Sequence, residues 1–505
     1  MTTNGTTPVT TEGGPPTRMI QTHCSTLTFG VDRVHKVKKP LDLGFVDFRS
    51  PASRRRACRR EVELNRQFAP DVYLGVEEIG PQGSAPVDWA VVMRRMPEER
   101  RLSSLMAAGA DVSDDVREVA RQLAVHHAQA PRSSRIDHAG TPGQLRRRWS
   151  DNLVALRAWV PSVLAPDVLA EIADLAENYI DGRHSLLDAR VAQGRIRDGH
   201  GDLLADDIFC LDDGPRILDC LEFDDDLRAV DGLDDAGCLA MDLERLGAVE
   251  LGQRFIDWFC EFSGEARIGS LIHHYTAYRA VVRMKVACLR WSQGQPEALE
   301  QAQQLSGIAL RHLRAGAPRL ILVGGTPGTG KSTVAGALAD RLGAVLLRSD
   351  RLRKENAGIP PEQDATQPWQ QGLYAPVMTT DTYDRLIEVA ARLLGHGESV
   401  VLDASWSTGG ERAQARQAAA VTFSSVQELR CSAPPELVDA RIGSRRKGRD
   451  PSDANPGIAR MMEKEFHPWP EAAPLTTTGS TDQNIQEAVR LTGRTSGSVV
   501  STVPG

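Results

Sequence analysis

The pattern of apolar and polar positions changes character along the chain. Near the start, two alternating stretches, STLTFG and RVHKVKK, flank Gly30-Val31-Asp32 and predict a β-hairpin. SRRRACRREVELNRQFA has helical spacing, and DWAVVMRRM predicts a further strand. Residues 111–315 are mostly helical in pattern, with Ser113 as the expected N-cap of one helix and short strands at DIFCL and RILDCLEF.

Beyond Pro318 the pattern becomes a regular alternation of strands and helices. The segments RLILVGG, AVLLRSD, ESVVLDAS and SVQELRCSA are apolar throughout, as in strands covered on both faces. This alternation predicts a parallel α/β sheet, with a domain boundary near 313–318. We therefore predict domains at 20–312 and 318–490, with disordered tails at 1–19 and 491–505.

Composition narrows the class of protein. The chain has 505 residues, 41% of them hydrophobic and 25% charged, which is typical of a soluble protein with two or three domains. A net charge of −7 argues against general nucleic-acid affinity. No apolar run or leader pattern predicts a membrane span or a signal peptide. Eight cysteines without a C-x-x-C pair indicate reduced thiols and a cytoplasmic location.

GTPGTGKS, from Gly325 to Ser332, fits the phosphate-binding pattern G-x-x-x-x-G-K-[ST] in full. A strand at 320–323 precedes it, and a helix at 331–342 follows and ends at Gly343. The glycines let backbone N–H groups surround phosphate, while Lys331 adds a positive charge and Ser332 a ligand for Mg²⁺. The predicted ATP-binding residues here are Gly325, Thr326, Pro327, Gly328, Thr329, Gly330, Lys331, Ser332 and Thr333.

LLRSDRLRKE puts Asp350 at the end of the second strand, at the carboxyl edge of the sheet where ligands bind. This arrangement resembles the small P-loop kinases that include gluconate kinases, zeta toxins, chloramphenicol phosphotransferase and polynucleotide kinase. The resemblance implies that Asp350 is the base that deprotonates the acceptor hydroxyl and that Arg353 holds the acceptor. From the residues alone, Asp350 could equally be a helix N-cap.

SVVLDASW places Asp403 at the end of another strand, where it could hold Mg²⁺ through water or serve as a second acceptor-site carboxylate. PPELVDARIGSRRKGRDPSDA resembles the lid of the same kinases. Arg441 and Arg445 lie four residues apart and share a helix face, so with Arg446 and Arg449 they could neutralise phosphate charge during transfer. The alternative is an exposed basic helix face.

DGHGDLLADDIFCLDDGPRILDCLEF resembles the aminoglycoside phosphotransferases, whose fold is that of protein kinases, and its HGDL motif, His200 to Leu203, matches the signature of that family. The resemblance implies that Asp202 accepts or orients the acceptor's hydroxyl proton and that Asp219 holds Mg²⁺. Asp207 stands where the family has asparagine. An aspartate can also bind Mg²⁺, but it adds negative charge beside ATP.

VHKVKK looks like the strand of that fold that carries the ATP-pairing lysine. Lys36 and Lys38 lie on the same side of the strand because strand side chains repeat every two residues. We choose Lys36 and keep Lys38 as the alternate. CRREVELNR looks like the helix whose glutamate pairs with this lysine, with Glu61 preferred over Glu63. AVVMRRMP resembles the hinge that meets adenine.

Two charged stretches are interpreted as solvent-exposed structure without a catalytic role. YRAVVRMK reads as a helix with a solvated basic face, and EFDDDLRAVDGLDD reads as a solvated loop, although it could line a cleft for a cationic acceptor.

Together the two halves resemble bifunctional aminoglycoside phosphotransferase and ATP-binding proteins. The predicted fold class is an α/β multidomain chain: a protein-kinase-like α+β domain followed by a P-loop domain.

The function that this resemblance implies is transfer of the γ-phosphoryl group of Mg·ATP to a hydroxyl of a small molecule, such as a sugar, amino sugar or nucleotide sugar. Two alternatives stay open. The N-terminal half could be a regulatory pseudokinase beside one active P-loop domain, or the chain could be a non-catalytic ATP-dependent switch. The sequence gives neither the acceptor nor the oligomeric state.

Overall fold

The computed structural model describes residues 18–22, 24–42, 47–80, 87–360, 363, 371–445 and 456–493. It divides the chain into two compact units. Unit 1 comprises residues 1–173, 187–267 and 271–313, and unit 2 comprises 174–186, 268–270 and 314–505. The domain bounds proposed from sequence, 20–312 and 318–490, stay a prediction.

Unit 1 begins with a five-stranded antiparallel sheet in the order β1-β2-β3-β5-β4. Its elements are β1 (Arg18–Gln21), β2 (Ser25–Phe29), β3 (Arg33–Lys38), α1 (Pro51–Asn65), β4 (Tyr73–Ile79) and β5 (Asp88–Arg94). The helix α1 starts at Pro51 behind an N-cap, Ser50, whose side chain accepts the Ser53 N–H. Apolar residues of α1, β4 and β5, such as Cys58, Val62 and Val91, pack into one core.

The remainder of unit 1 is mostly helical. Its elements are α2 (Leu102–Ala107), α3 (Ser113–Gln129), α4 (Ser134–Ala139), α5 (Pro142–Leu156), α6 (Pro166–Gly182), α7 (His184–Ala192), β6 (Ile196–Asp198), β7 (Ile208–Leu211), β8 (Gly214–Ile217), α8 (Asp225–Arg228), β9 (Ala229–Asp231), α9 (Gly232–Arg245), α10 (Val249–Ser263), α11 (Gly269–Ser292) and α12 (Ala298–Gly316). Of these, α6, α7, α11 and α12 run partly into unit 2. The strands form two short antiparallel ladders, β6-β9 and the hairpin β7-β8. These ladders carry the segments on either side of the HGDL motif.

One predicted helix start is wrong by a single position. The helix α3 begins at Ser113, but its N-cap is Val112, which has no capping side chain. Instead the Asp111 carboxylate accepts the Ser113 N–H at 3.0 Å. An aspartate two positions earlier therefore accepts the N–H of the first helical residue, Ser113 itself.

Unit 2 is built around a five-stranded, fully parallel sheet in the order β11-β12-β10-β13-β14. Its elements are β10 (Arg319–Gly324), α13 (Lys331–Leu342), β11 (Val345–Arg348), α14 (Ser349–Asn356), α15 (Pro376–Gly395), β12 (Val400–Asp403), α16 (Gly409–Val421), β13 (Ser425–Ser432), α17 (Pro435–Arg445), α18 (Pro456–Glu465), β14 (Ala473–Thr476) and α19 (Thr481–Thr492). Two apolar clusters, one on each face, bury the sheet. Because β10 is central, the loop after it opens at the middle of the carboxyl edge.

Candidate nucleotide-binding sites

The loop between β10 and α13 has the backbone of a phosphate cradle. Gly325, Gly328 and Gly330 have φ values of 138°, 85° and 85°, which side chains disfavour. A Cβ on Gly325 would lie 2.4 Å from the Cys431 carbonyl oxygen. The glycines are therefore required by geometry, and the loop leads directly into the N-terminus of α13, where backbone N–H groups favour an anion.

Lys331, Ser332 and Asp403 come together beside this loop. Lys331 is 8% exposed, and Asp403 at the end of β12 is 4% exposed. Burial raises the pKa of Asp403, while the Lys331 ammonium, the Ser332 hydroxyl and the Arg348 guanidinium act against that shift. Sequence reasoning missed Arg348, whose Nε donates to Asp403 Oδ2 at 3.1 Å because the two residues are paired in register.

These residues also fit a magnesium ion. Asp403 Oδ1 is buried without a hydrogen-bond partner among the described residues, and the Ser332 hydroxyl is near enough to affect the Asp403 carboxylate. Mg²⁺ is typically held by few protein oxygens together with water and phosphate. The predicted roles of Ser332 and Asp403 are therefore compatible with this arrangement.

A cavity of about 190 Å³ adjoins the phosphate loop on the side of α17 and α19. Its lining includes Gly330, Thr333, Arg441, Thr477 and Asn484. Arg441 is half-buried, and its guanidinium donates to Thr477 Oγ1 at 2.9 Å and to the Thr477 carbonyl at 2.7 Å. Arg441 is therefore fixed against the loop and is not part of an exposed basic face.

The predicted acceptor residues Asp350 and Arg353 lie together, but in a different element from the one expected. Asp350 is in the first turn of α14, since β11 ends at Arg348. It is neither at a strand end nor an N-cap, because the helix begins one residue earlier. Arg353, one turn later, donates to Asp350 Oδ1 at 3.2 Å and stacks on Tyr374 with 4.7 Å from its Cζ to the ring centroid.

Some predicted lid residues lie outside the described residues. These are Arg446, Arg449 and the DPSDA segment at 450–454, together with the side chain of Arg445. Of the predicted disordered tails at 1–19 and 491–505, residues 1–17 and 494–505 lie outside the described residues as well. The prediction is wrong at 18–19, which belong to β1, and at 491–492, which end α19.

In unit 1, an ion-pair cluster joins β3, α1 and the segment after β8; its two lysines and Glu61 are buried, while the side chain of Asp219 is half exposed. Lys36 Nζ lies 2.8 Å from Glu61 and 2.7 Å from Asp219. Lys38 Nζ lies 2.7 Å from the other Glu61 oxygen and also binds Glu222. The two lysines thus share one glutamate, and Glu61, not Glu63, is the residue that bridges them.

The electrostatics of this cluster favour the charged forms of Lys36 and Glu61, whereas burial raises the pKa of Glu222. Burial acts to lower the pKa of Lys36, but the carboxylates of Asp219 and Glu61 outweigh it and hold that pKa well above the ordinary value. Burial acts to raise the pKa of Glu61, and the two lysines reverse this and lower it. Asp219 has a φ of 63°, a strained conformation that non-glycine residues rarely adopt.

Asp207, beyond the HGDL motif, interacts electrostatically with Asp202 of that motif and with Asp219 of this cluster. Burial raises the pKa of Asp207 well above its ordinary value, and the Asp219 and Asp202 carboxylates add to the shift. The carboxylates of Asp202, Asp207 and Asp219 repel one another, and a group of carboxylates held together in this way is suited to binding a cation. Among the described residues no group of three or more His, Cys, Asp or Glu is arranged to hold a metal unaided, so Mg²⁺ here would need phosphate and water as further ligands.

Sequence reasoning missed the residue whose side chain accepts hydrogen bonds from the backbone of the HGDL loop. Asp235 in α9 is fully buried and accepts the backbone N–H groups of His200 at 2.7 Å and Gly201 at 2.8 Å. His127 Nε2 lies 2.9 Å from the same carboxylate. Because Asp235 lies more than thirty residues beyond the motif, no local spacing pointed to it.

The stretch YRAVVRMK does not present a solvated basic face. Arg279 is 5% exposed and binds Asp234 at 2.7 Å. Arg283 Nη1 donates to Asp202 Oδ2 at 2.9 Å, and Lys285 Nζ donates to Asn152 at 2.6 Å. The basic side chains of α11 therefore point into unit 1, two of them toward the HGDL loop.

The class of the C-terminal unit follows from the loop and from one comparison. Residues 320–468 match the family model described as the AAA domain. With the glycine-rich loop, the parallel sheet and the buried Lys331, this makes the unit a P-loop nucleotide-binding domain.

The whole chain has close relatives in mycobacteria. Over 486 residues it is 40% identical to the uncharacterized protein Rv2004c of Mycobacterium tuberculosis, covering 96% of both chains. The uncharacterized protein Mb2027c of Mycobacterium bovis matches with the same identity and coverage. The chain therefore belongs to the family of these mycobacterial proteins.

Solved structures resemble parts of the chain more distantly. A gluconokinase from Sinorhizobium meliloti has 17% identity and a TM-score of 0.25, covering 35% of this chain and 91% of its own. A choline/ethanolamine kinase family protein from Mesorhizobium loti has 13% identity and a TM-score of 0.35, covering 60% of this chain and 93% of its own. Likeness at this level says nothing about the activity of this chain. Among the described residues no helix is long and apolar enough to cross a membrane.

Proposed function

We propose that this protein is a phosphotransferase that moves the γ-phosphoryl group of Mg·ATP to a hydroxyl of a small molecule. The observation that carries the proposal is the meeting of Lys331, Ser332 and Asp403 around a loop whose glycines cannot be replaced. A charged lysine, a hydroxyl and a buried carboxylate at a helix N-terminus are what a Mg²⁺-bound triphosphate requires.

In unit 2 the proposed roles extend outward from the phosphates. Lys331 and the loop N–H groups bind the β- and γ-phosphates, Ser332 and Asp403 hold Mg²⁺, and the cavity beside Thr477 accepts the base. Asp350 takes the acceptor's proton, and Arg353 holds the acceptor. Catalysis of this kind depends on position and charge neutralisation more than on covalent chemistry.

In unit 1 we propose a second nucleotide site. Lys36, fixed by Glu61, binds the α- and β-phosphates, and Asp207 and Asp219 bind Mg²⁺. Asp202 orients the acceptor hydroxyl from the HGDL loop. Lys36, Glu61 and Asp219 span 183 positions and would not meet in one charged cluster by local folding alone, so their meeting supports this assignment.

A second candidate is that unit 1 binds nucleotide or metabolite without transfer and regulates unit 2. The observation that favours it is the pairing of Asp202 with Arg283, which engages the proposed base. The two candidates agree on a second ligand site and differ on whether phosphate leaves it.

The test is a mass-spectrometric screen for phosphorylated products in a metabolite pool incubated with Mg·ATP. The full chain is compared with Lys331→Ala, which disables unit 2, and Asp202→Ala, which disables transfer in unit 1. We expect each variant to lose a different product. If Lys331→Ala removes every product while Asp202→Ala removes none, the regulatory candidate replaces transfer in unit 1. If the wild-type chain yields no product from any pool, the phosphotransferase proposal is wrong.

A further inference from the structure

We infer that the acceptor at the unit 1 cleft is a hydroxyl compound carrying an anionic group, a carboxylate or a phosphate, and that Arg279 and Arg283 of α11 recognise it. This inference rests on the proposed nucleotide site of unit 1. It names the chemical class of the acceptor, which the proposed function leaves open.

The two arginines form a guanidinium pair at the proposed base. They lie four residues apart on α11, so their side chains share one helix face. Arg283 Nη1 binds Asp202 Oδ2 at 2.9 Å, and Arg279 Nη1 donates to the carbonyl oxygen of Gly201, the preceding residue. Both guanidinium groups therefore contact the HGDL loop, which carries the proposed base Asp202.

The pair has hydrogen-bonding capacity left over. Arg279 is 5% exposed, yet its Nη2 has no hydrogen-bond partner among the described residues. A buried guanidinium donor without a partner is costly, and such groups often belong to ligand sites. The side chain of Arg283 is 23% exposed, so a ligand in the cleft can reach it. Guanidinium groups bind carboxylate and phosphate through paired hydrogen bonds.

Charge argues against a cationic acceptor. The acidic stretch from Glu222 to Asp235 looked suited to one, but most of its carboxylates already have basic partners inside unit 1. These pairs are Glu222 with Lys38, Asp225 with Arg228, Asp226 with Arg135, Asp231 with Arg190, Asp234 with Arg279 and Asp235 with His127. A cationic acceptor would have to displace these partners, and it would meet Arg283 beside Asp202.

The test measures binding, so it does not depend on transfer. Full-length protein saturated with Mg²⁺ and a non-hydrolysable ATP analogue is titrated by calorimetry with compounds that share one sugar scaffold. Glucose is neutral, glucosamine is cationic, glucuronate carries a carboxylate, and glucose 6-phosphate carries a phosphate. We expect at least one anionic compound to bind ten-fold or more tightly than glucose and glucosamine.

Variants of α11 then locate the binding. Arg283→Gln should reduce anion affinity at least ten-fold, and Arg283→Lys should retain part of it because charge remains while the planar fork is lost. Arg290→Gln is the matched control, since Arg290 is on the same helix and bonds Gln295 instead. Thermal melts check that each variant is folded.

Three outcomes overturn the inference: equal or tighter binding of glucosamine, an anion affinity that Arg283→Gln leaves unchanged, and no binding by either anionic compound. The proposed transfer fails separately. If glucuronate or glucose 6-phosphate binds through Arg283 but no phosphorylated product forms in the Lys331→Ala chain, the anion site stands and transfer in unit 1 does not.

Discussion

The two lysines proposed to bind phosphate are held in opposite ways. Lys331 lies within a motif of eight consecutive residues, Gly325 to Ser332, and the glycines and the helix start that place it belong to that same motif. Lys36 is held by Glu61 from a helix and by Asp219 from a segment 183 residues away. One site is therefore local in sequence, and the other exists only once unit 1 has folded.

This difference determines which kind of substitution should disrupt each proposed nucleotide site. The local site depends on backbone conformations that only glycine adopts without strain. The assembled site depends on the balance of buried charges, because two lysines and three carboxylates share it. Substitutions chosen for each weakness should break one site and leave the other.

The largest effect is expected for Glu61→Gln. Glu61 is fully buried and pairs with both Lys36 and Lys38, and removing one partner of a buried ion pair costs about 3–5 kcal/mol. Denaturant unfolding should show this loss in unit 1. Glu63→Gln is the control, since Glu63 has a 66% exposed side chain and pairs with Arg60 at the surface, so it should change stability by less than about 0.5 kcal/mol. Similar losses for both variants would contradict the assembled-site account.

The next largest effect is expected for Gly325→Ala in the local site. The added methyl group would meet the Cys431 carbonyl at 2.4 Å on a residue with φ of 138°, and strain plus overpacking of this kind costs about 2–4 kcal/mol. Nucleotide binding in unit 2 should be lost with it. Gly336→Ala on α13 is the matched control, because nothing lies within 4 Å of its new methyl and the helix should gain roughly 0.5–1 kcal/mol. A Gly325→Ala chain that binds nucleotide normally would refute the geometric requirement.

A smaller, pH-dependent effect is expected in unit 1. Burial, with the charges of His312 and Arg267, lowers the pKa of His273 to about 4 despite the opposing charge of Glu244. As the pH falls, His273 is protonated near pH 6.5 in the unfolded chain but only near pH 4 in the folded chain. The free energy of unfolding is therefore unaffected by this group above pH 6.5 and decreases as the pH drops toward 4. After discounting for solvent screening, the loss should be about 1–2 kcal/mol. His273→Gln should flatten this part of the pH profile measured by thermal unfolding, and an unchanged profile would rule out His273 as its source.

Sequence alone predicted the local site in detail because its requirements are local. The strand, the glycine loop and the helix from Lys331 to Leu342 ending at Gly343 are all in the structure. Asp350 was misplaced because β11 ends early: a strand end and a first helical turn look alike in the pattern LLRSD. Arg348 was missed because its role comes from its register opposite Asp403, and register between distant strands is not visible in one sequence.

The assembled site was less predictable, for the same physical reason. Alternation along β3 could place Lys36 and Lys38 on one side, but it could not show that Glu61 bridges both. The charges of α11 were read as solvated because the sequence gives no sign that Asp234 and Asp202 lie opposite them. Asp235, which braces the HGDL loop, carries no local motif at all.

The most direct test of the account is the number of nucleotides that one chain binds. Calorimetric titration of the full chain with Mg²⁺ and a non-hydrolysable ATP analogue should give two equivalents. Lys331→Ala and Lys36→Ala should each leave one, and Lys464→Ala, at an exposed position of α18, should leave both. A single equivalent in the wild-type chain, or the loss of both equivalents through either single substitution, would contradict the claim of two separate sites.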